Sequence, residues 1–168
     1  MALPFKSRAA TPPTARRIAL RDPTQVRAPT PADAPFVTEL LEQLGYPSTE
    51  EQVLARLASL PAVPTQVVLV GELWLGTHQT AVAGLLVMEL GWYFHSDARH
   101  AHVTALVTDR RYRHRGVARG LLVEAQAIAR RAGCTVMHVR SNRARDEAHG
   151  FYRALGFDET HLTFDKPL

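Results

Sequence analysis

Along this chain the spacing of apolar residues changes period several times after Val26, and each change predicts an element. "QVRAP" (25–29) suggests a short first strand. From Thr30 to Gly45 ("TPADAPFVTELLEQLG") the spacing turns helical, with Leu40, Leu41 and Leu44 on one stripe. Thr30 suits the N-cap, Pro31 the first turn, Asp33 the positive end of the dipole, and Gly45 the stop. "STEEQVLARLASL" (48–60) predicts a second helix, with a Ser48–Glu51 capping box and a stripe at Val53, Leu54, Leu57 and Leu60. "TQVVLVGELWL" (65–75) and "AVAGLLVMELGWYF" (81–94) are β-rich runs joined by the polar "GTHQT", the pattern of an antiparallel hairpin. "HAHVTALVT" (100–108) predicts the next strand, and a helix from about Gly116 to Arg131 is closed by Gly133. A strand at 135–141, a helix around 145–154 stopped by Gly156, and a last strand near 160–165 complete the chain. The order β-α-α-β-β-β-α-β-α-β predicts an α/β fold, a mixed sheet with helices on its faces.

Composition narrows the class. A chain of 168 residues, 46% hydrophobic and 21% charged, suits one soluble domain, and no apolar run approaches the roughly 20 residues that span a bilayer. The single cysteine, Cys134, excludes an intrachain disulfide and fits a reducing, cytoplasmic setting. The net charge of +4 is confined to residues 1–25, where Lys6, Arg8, Arg16, Arg17 and Arg21 oppose Asp22. That segment, rich in Pro, Ala, Thr and Arg, lacks the apolar core of a secretory signal and reads as a flexible basic arm ahead of a domain over 26–168. Its composition also resembles an organellar transit peptide. With the remainder electrically balanced, neither nucleic acid nor membrane is an expected partner.

"YRHRGVARGLL" (112–122) places glycine and arginine at the start of the long helix. The first backbone N–H groups of a helix have no intrahelical acceptor, and the dipole favours an anion there. Gly116 lets a ligand approach the backbone, small Ala118 keeps the next turn open, and Arg113, His114, Arg115 and Arg119 can add charge-assisted contacts. A phosphate or pyrophosphate fits these features; a solvated basic helix end fits them as well.

The spacing Arg113-x-x-Gly116-x-Ala118 resembles the acetyl-CoA signature, Arg/Gln-x-x-Gly-x-Gly/Ala, of the GCN5-related N-acetyltransferases (GNAT superfamily). The preceding "HVTALVT", the turn "DRRYRHRG" and the later "SNRARDEAHGFYRALGF" (141–157) are similar to that family's fourth strand, phosphate approach and fifth-strand-to-helix segment. The resemblance implies a GNAT fold: a central mixed, mostly antiparallel sheet with splayed fourth and fifth strands and helices on both faces. It implies acetyl-CoA as cosubstrate, without a metal, and acetyl transfer to a primary amine through a tetrahedral intermediate. Backbone N–H groups of Arg113, His114, Arg115, Gly116, Val117 and Ala118 would hold the pyrophosphate, with Arg119 beside them. Leu106 and Val107 would pair with pantetheine like an added strand, Asn142 would bond its arm, and a strand-four N–H near Val107 would face the oxyanion. Tyr152 would protonate the departing thiolate, a role its O–H suits at neutral pH; it can equally be a half-buried core residue beside Phe151 and Leu155.

The amine must lose a proton, and here the chain departs from the family pattern. Many members carry a strand-four Glu. Counting back from Val107 with period two reaches Val103 and Ala101, neither of them a base. Glu89, His100, His102 or a water chain are the substitutes, although alternation turns His100 and His102 away from the Val103 side unless a bulge intervenes. Of these His102 and Glu89 are the candidate bases; each also reads as an ordinary surface or interface group. The H-x-H at 100–102 lacks an evident third metal ligand, Cys134 reads as packing, and Trp92, Tyr93 and Phe94 can shape an acceptor pocket or a dimer surface. Tyr46, between the first two helices, lies where the family gates its acceptor site. The expected acceptor is a small-molecule amine; a peptide or protein N-terminus and a non-catalytic CoA-binding module are the alternatives, and the resemblance suggests a homodimer.

Overall fold

The computed structural model describes residues 24–76, 78–142, 145–160 and 166. Five strands, β1 (Thr24–Arg27), β2 (Gln66–Gly76), β3 (Gln79–Trp92), β4 (Arg99–Thr108) and β5 (Cys134–Val139), form one sheet in sequence order. Pairing is antiparallel from β1 through β4, and β5 joins β4 in parallel. The strand expected near 160–165 falls largely on residues 161–165, outside the described residues, as does most of the basic arm.

Helices cover both faces. On one, Val117, Leu121, Leu122, Ala125 and Ala129 of α3 (Val117–Arg131) bury against Leu69, Leu73, Ala83, Leu86, Met88, Ala101 and Val103. On the other, Ala34, Val37 and Leu40 of α1 (Ala34–Leu44) and Val53 of α2 (Glu50–Ser59) cover Val70, Val82, Leu85 and Val107. Each fully buried Leu or Val contributes roughly 1.5–3 kcal/mol, so the two clusters hold the sheet between its helix layers. The fourth helix, α4 (Asp146–Ala154), follows β5.

Local polar chemistry fixes the starts. Asp33 receives both guanidinium Nη atoms of Arg27, at 2.7 and 2.8 Å, and the N–H and hydroxyl of Thr30 at 2.6 and 2.9 Å. The bonds from Arg27 and Thr30 hold the Asp33 carboxyl down at about 2, against its burial. The predicted Ser48–Glu51 capping box is displaced by one residue: Thr49 Oγ1 accepts from the Gln52 N–H at 3.2 Å, and Gln52 Oε1 accepts from the Thr49 N–H at 3.0 Å. The Ser48 hydroxyl instead donates to the Tyr46 carbonyl and accepts from Arg56.

Two features of the sheet shape the site. The ladder between β4 and β5 ends at Val103 opposite Val139, while β4 runs on to Thr108 beside β3 alone. Among the described residues the two strands therefore part at Thr104, and no strand pairs with β4 beyond it on that edge. Thr104 itself is a bulge: Val87 pairs with Ala105 and Met88 with Val103, while the Thr104 hydroxyl donates to the Val87 carbonyl at 3.3 Å. An extra residue reverses the alternation beyond it. Hence Ala101 and Val103 lie in the α3 cluster and Val107 in the α1 cluster, and the count by twos from Val107 to Val103 and Ala101 is corrected.

Candidate active site

A cleft of about 590 Å³ opens where β4 and β5 part, within the size range of small-molecule and cofactor sites. Its floor is Leu106, Val107 and Thr108; Gln43 and Leu44 come from the end of α1, Arg113 from the loop before α3, and Arg145, Asp146, Glu147 and Ala148 from the start of α4. Strand alternation means that one of Leu106 and Val107 turns both its N–H and its carbonyl to the open edge.

The loop at the Arg113 end has a backbone geometry suited to an anion. Gly116 caps α3 with φ 87°, and His114 adopts φ 61°, a left-handed conformation uncommon outside glycine. Alternating backbone hands of this kind turn successive N–H groups toward one point, at the positive end of a 15-residue helix. Arg113 and His114 are exposed, Arg115, Ala118 and Arg119 half-buried. Val117 is sunk in the core, so only its backbone can serve a ligand. That anchoring rests on two glycines: a Cβ on Gly84 would stand 2.7 Å from Val117 Cγ1, and one on Gly71 would stand 3.0 Å away. The start of α3 can lie this close to β2 and β3 only over glycine.

The turn leading into this loop is fixed by Asp109, which is 1% exposed. Its carboxylate accepts from the Arg111 N–H, Nε and Nη2 at 2.8, 3.0 and 2.7 Å, and stands 3.4 Å from Gln43 Nε2. Arg111 first, then the Arg111 and Gln43 hydrogen bonds, hold its carboxyl down at about 2 against burial. Asp109 and Gln43 were not candidates in the sequence. The run "TDRRY" does carry a signal for the first, an Asp two residues before the N–H it caps; Gln43 carries none.

Asn142 precedes the wall formed by residues 145–148, and its carbonyl accepts from the Arg145 N–H and from the His149 ring, each at 3.0 Å. Tyr152 is half-buried, its ring 5.5 Å from Phe151 and 5.7 Å from Phe157. Burial raises its hydroxyl above the usual tyrosine value, with Arg145 opposing, so the phenol is protonated at neutral pH.

The bulge has its largest effect on the histidines. Glu89 on β3, His102 on β4 and His138 on β5 are paired side by side, and alternation sets them opposite Met88, Leu90, Ala101 and Val103, on the face that carries Val107. Among the described residues His102 Nε2 is buried without a hydrogen-bond partner. Burial, then Arg140, lowers the His102 pKa from the ordinary histidine value, and Glu89 pulls the other way. One row along, His100 lies over Gly91, where a Cβ would meet its ring at 2.8 Å. Tyr93 stacks on it at 3.9 Å between centroids. Trp92 and Phe94 are exposed, the former under Arg99 at 5.4 Å. Among the described residues no group of three or more His, Cys, Asp or Glu is placed to hold a metal ion, and no helix is long and apolar enough to cross a membrane.

Comparison with known proteins decides the family. The profile described as Acetyltransferase (GNAT) family matches residues 39–157, spanning the cleft, the loop before α3 and the Tyr152 helix. The chain belongs to the GNAT acetyltransferase family. Solved structures similar to this GNAT chain include a GNAT family acetyltransferase from Staphylococcus aureus, at 20% identity and TM-score 0.69, covering 86% of this chain and 98% of that one. Glucosamine-6-phosphate N-acetyltransferase from Arabidopsis thaliana matches at 17% identity and TM-score 0.71, covering 86% and 98%. The aminoglycoside N-acetyltransferase AAC(6')-Iy, in complex with CoA, matches at 16% identity and TM-score 0.72, covering 90% and 98%. At such identities the likeness is one of fold. No curated protein sequence matches significantly. The mostly antiparallel sheet with a parallel β4–β5 pair is the predicted GNAT fold, and acetyl-CoA is the family's cosubstrate.

Proposed function

We propose that the protein is an acetyl-CoA-dependent N-acetyltransferase acting on the primary amine of a small molecule. The observation that carries this reading is the parting of β4 from β5 at Thr104, beside a cleft that reaches Arg113 in the loop leading to Gly116 at the start of α3. This loop and the open β4 edge fit CoA: an anion-binding helix start for the pyrophosphate, and unpaired strand groups at Leu106 or Val107 for an amide-bearing arm. Asp146 and Glu147 at the other wall disfavour phosphate there, which orients the anionic end toward Arg113.

When bound, acetyl-CoA supplies an activated acetyl thioester. The chain's part is to bring a neutral amine to it. An alkylammonium, with a pKa of about 10, needs a base, and the His102 ring on the Val107 face, next to Glu89, suits that role. A donor N–H on the open edge near Val107 stabilises developing negative charge. Tyr152, kept protonated by burial, suits the return of a proton to the departing sulfur. The bulge turns His102 to the Val107 face, which supports a catalytic role over a non-catalytic CoA-binding module.

Calorimetric titration of acetyl-CoA, followed by a thiol-release assay over small amines and peptide N-termini, tests the proposal. Binding with thiol release on a small amine is the expected result. Release on peptide N-termini alone would move the acceptor class, and binding without release on any acceptor would overturn the transferase reading.

A further inference from the structure

Arg145 begins the α4 wall of the cleft, and its side chain leaves that wall. Its Nη2 donates to the Leu44 carbonyl at 3.1 Å, a contact between residues 101 positions apart in the chain. Leu44 is the last residue of α1, where carbonyls have no intrahelical partner and the helix dipole is negative. A guanidinium is well matched to that end. The Arg145 backbone is held as well: its N–H donates to the Asn142 carbonyl at 3.0 Å, and its carbonyl accepts from Ala148 and His149 at 3.0 and 3.2 Å. Leu44 and Arg145 both line the cleft, so this bond joins its two walls above the β4 floor.

The bond also links two parts of the proposed machinery. The residue before Leu44 in the same turn of α1 is Gln43, whose side chain accepts the Arg110 N–H at 3.0 Å and so steadies the loop before α3. The second turn of α4 carries Tyr152. We propose that Arg145 is a strap across the cofactor cleft, a positioning residue that ties the end of α1 to the start of α4, retains the CoA arm beneath it and keeps a positive charge on the side of the cleft that holds Tyr152. The inference rests on the transferase reading for its purpose, but its central claim concerns retention of CoA. The charge has a recorded reach, since Arg145 opposes the rise that burial imposes on the Tyr152 hydroxyl. Removing the guanidinium therefore acts twice, by opening the strap and by making the phenol a weaker acid.

The test measures CoA dissociation by stopped flow, and the Tyr152 titration by NMR on the protein alone, in wild type, Arg145→Gln and Arg145→Lys. Arg145 is exposed, and melting curves check that each variant folds. Arg145→Gln is expected to release CoA about ten-fold faster, the order of loss for one charge-assisted bond, and to raise the Tyr152 pKa. Arg145→Lys keeps the charge but loses the planar fork, so it should restore the tyrosine titration and only part of the retention. Equal dissociation rates in wild type and Arg145→Gln would overturn the strap. Wild type that does not bind CoA would overturn both the strap and the transferase reading. Wild type that retains CoA through Arg145 yet acetylates no amine would leave the strap standing and remove the transferase.

Discussion

Gln43 and Arg110 are joined across 67 positions of the chain: the amide oxygen of the first accepts the backbone N–H of the second at 3.0 Å. The same side chain reaches the Asp109 carboxylate, so a residue of α1 steadies the turn that leads to Arg113 and Gly116. The proposed phosphate cradle is thus supported from outside its own motif.

Asp109→Asn should disturb that turn without touching a ligand. It removes the carboxylate that Arg111 grips at three points, and the expected loss of stability is about 1–3 kcal/mol, accompanied by weaker acetyl-CoA binding. The pH dependence has a definite sign. Asp33 and Asp109 both have carboxyls lowered from the ordinary 3.8 to about 2. Their contribution is therefore complete above about pH 4 and is lost as pH falls toward 2. Denaturant unfolding across that window should show a steep loss in wild type and a shallower one in Asp109→Asn. Equal slopes would remove Asp109 from the acid response.

Gly116→Glu attacks the cradle directly. The residue has φ 87°, a conformation that costs a non-glycine residue roughly 1–2 kcal/mol, and the new carboxylate would stand where an anion is to be bound. Calorimetry should find acetyl-CoA binding weakened by at least about a hundred-fold, since strain and charge repulsion combine. Wild-type affinity in this variant would refute the assignment of the loop.

What the sequence could and could not convey follows from how local each feature is. The α3 start is written within a few adjacent residues, because Gly116 and the helix it caps are neighbours, and the hairpin and the helix stops at Gly45 and Gly133 are equally local. The bulge at Thr104 is different. Nothing in "HVTALVT" marks one residue as extra, and the irregularity exists only against Val87 and Met88 on the partner strand. A single inserted position reversed the face assigned to every residue before it, which is why Val103 and Ala101 appeared at the base position and His102 did not. The Arg145–Leu44 and Gln43–Arg110 bonds are hidden for the same reason. Each joins segments far apart in the chain through one polar side chain, and periodicity carries no information about such pairs.

His102→Gln tests the proposed base on β4. Burial and Arg140 lower the ring's pKa from the ordinary histidine value, so the neutral, proton-accepting form is favoured and is lost as pH falls. With wild-type protein at saturating acetyl-CoA, kcat/KM for the amine should fall on the acid side with a limb set by this group. His102→Gln should lower kcat/KM by about 10²–10⁴-fold, the range for loss of a general base, and the acid limb should vanish while acetyl-CoA affinity stays near wild type. Glu89→Gln separates the neighbours: by removing the charge that raises the ring's pKa, it should move the limb to lower pH. A variant at His102 that keeps the acid limb would transfer the role to another group or to water.

Tyr152→Phe examines the other end of the proton's path. The ring packs against Phe151 and Phe157, and phenylalanine preserves that packing, so stability should change by no more than about 1 kcal/mol, the net value of a typical hydrogen bond. A purely structural Tyr152 predicts nothing further. As the proton donor to the leaving sulfur it predicts a selective effect: kcat lowered by about 10²-fold or more, with acetyl-CoA affinity within a factor of two. The wild-type profile should also have a basic limb, because the phenol must be protonated to act and burial places its ionisation above the ordinary tyrosine value. That limb should be absent from the residual activity of Tyr152→Phe. Acceptors with better or worse amine nucleophilicity give a further check, since loss of help at the leaving group slows the departure of sulfur and leaves the approach of the amine unchanged. Unaltered kcat and an unaltered basic limb in the variant would return Tyr152 to the core and require another proton source for the thiolate.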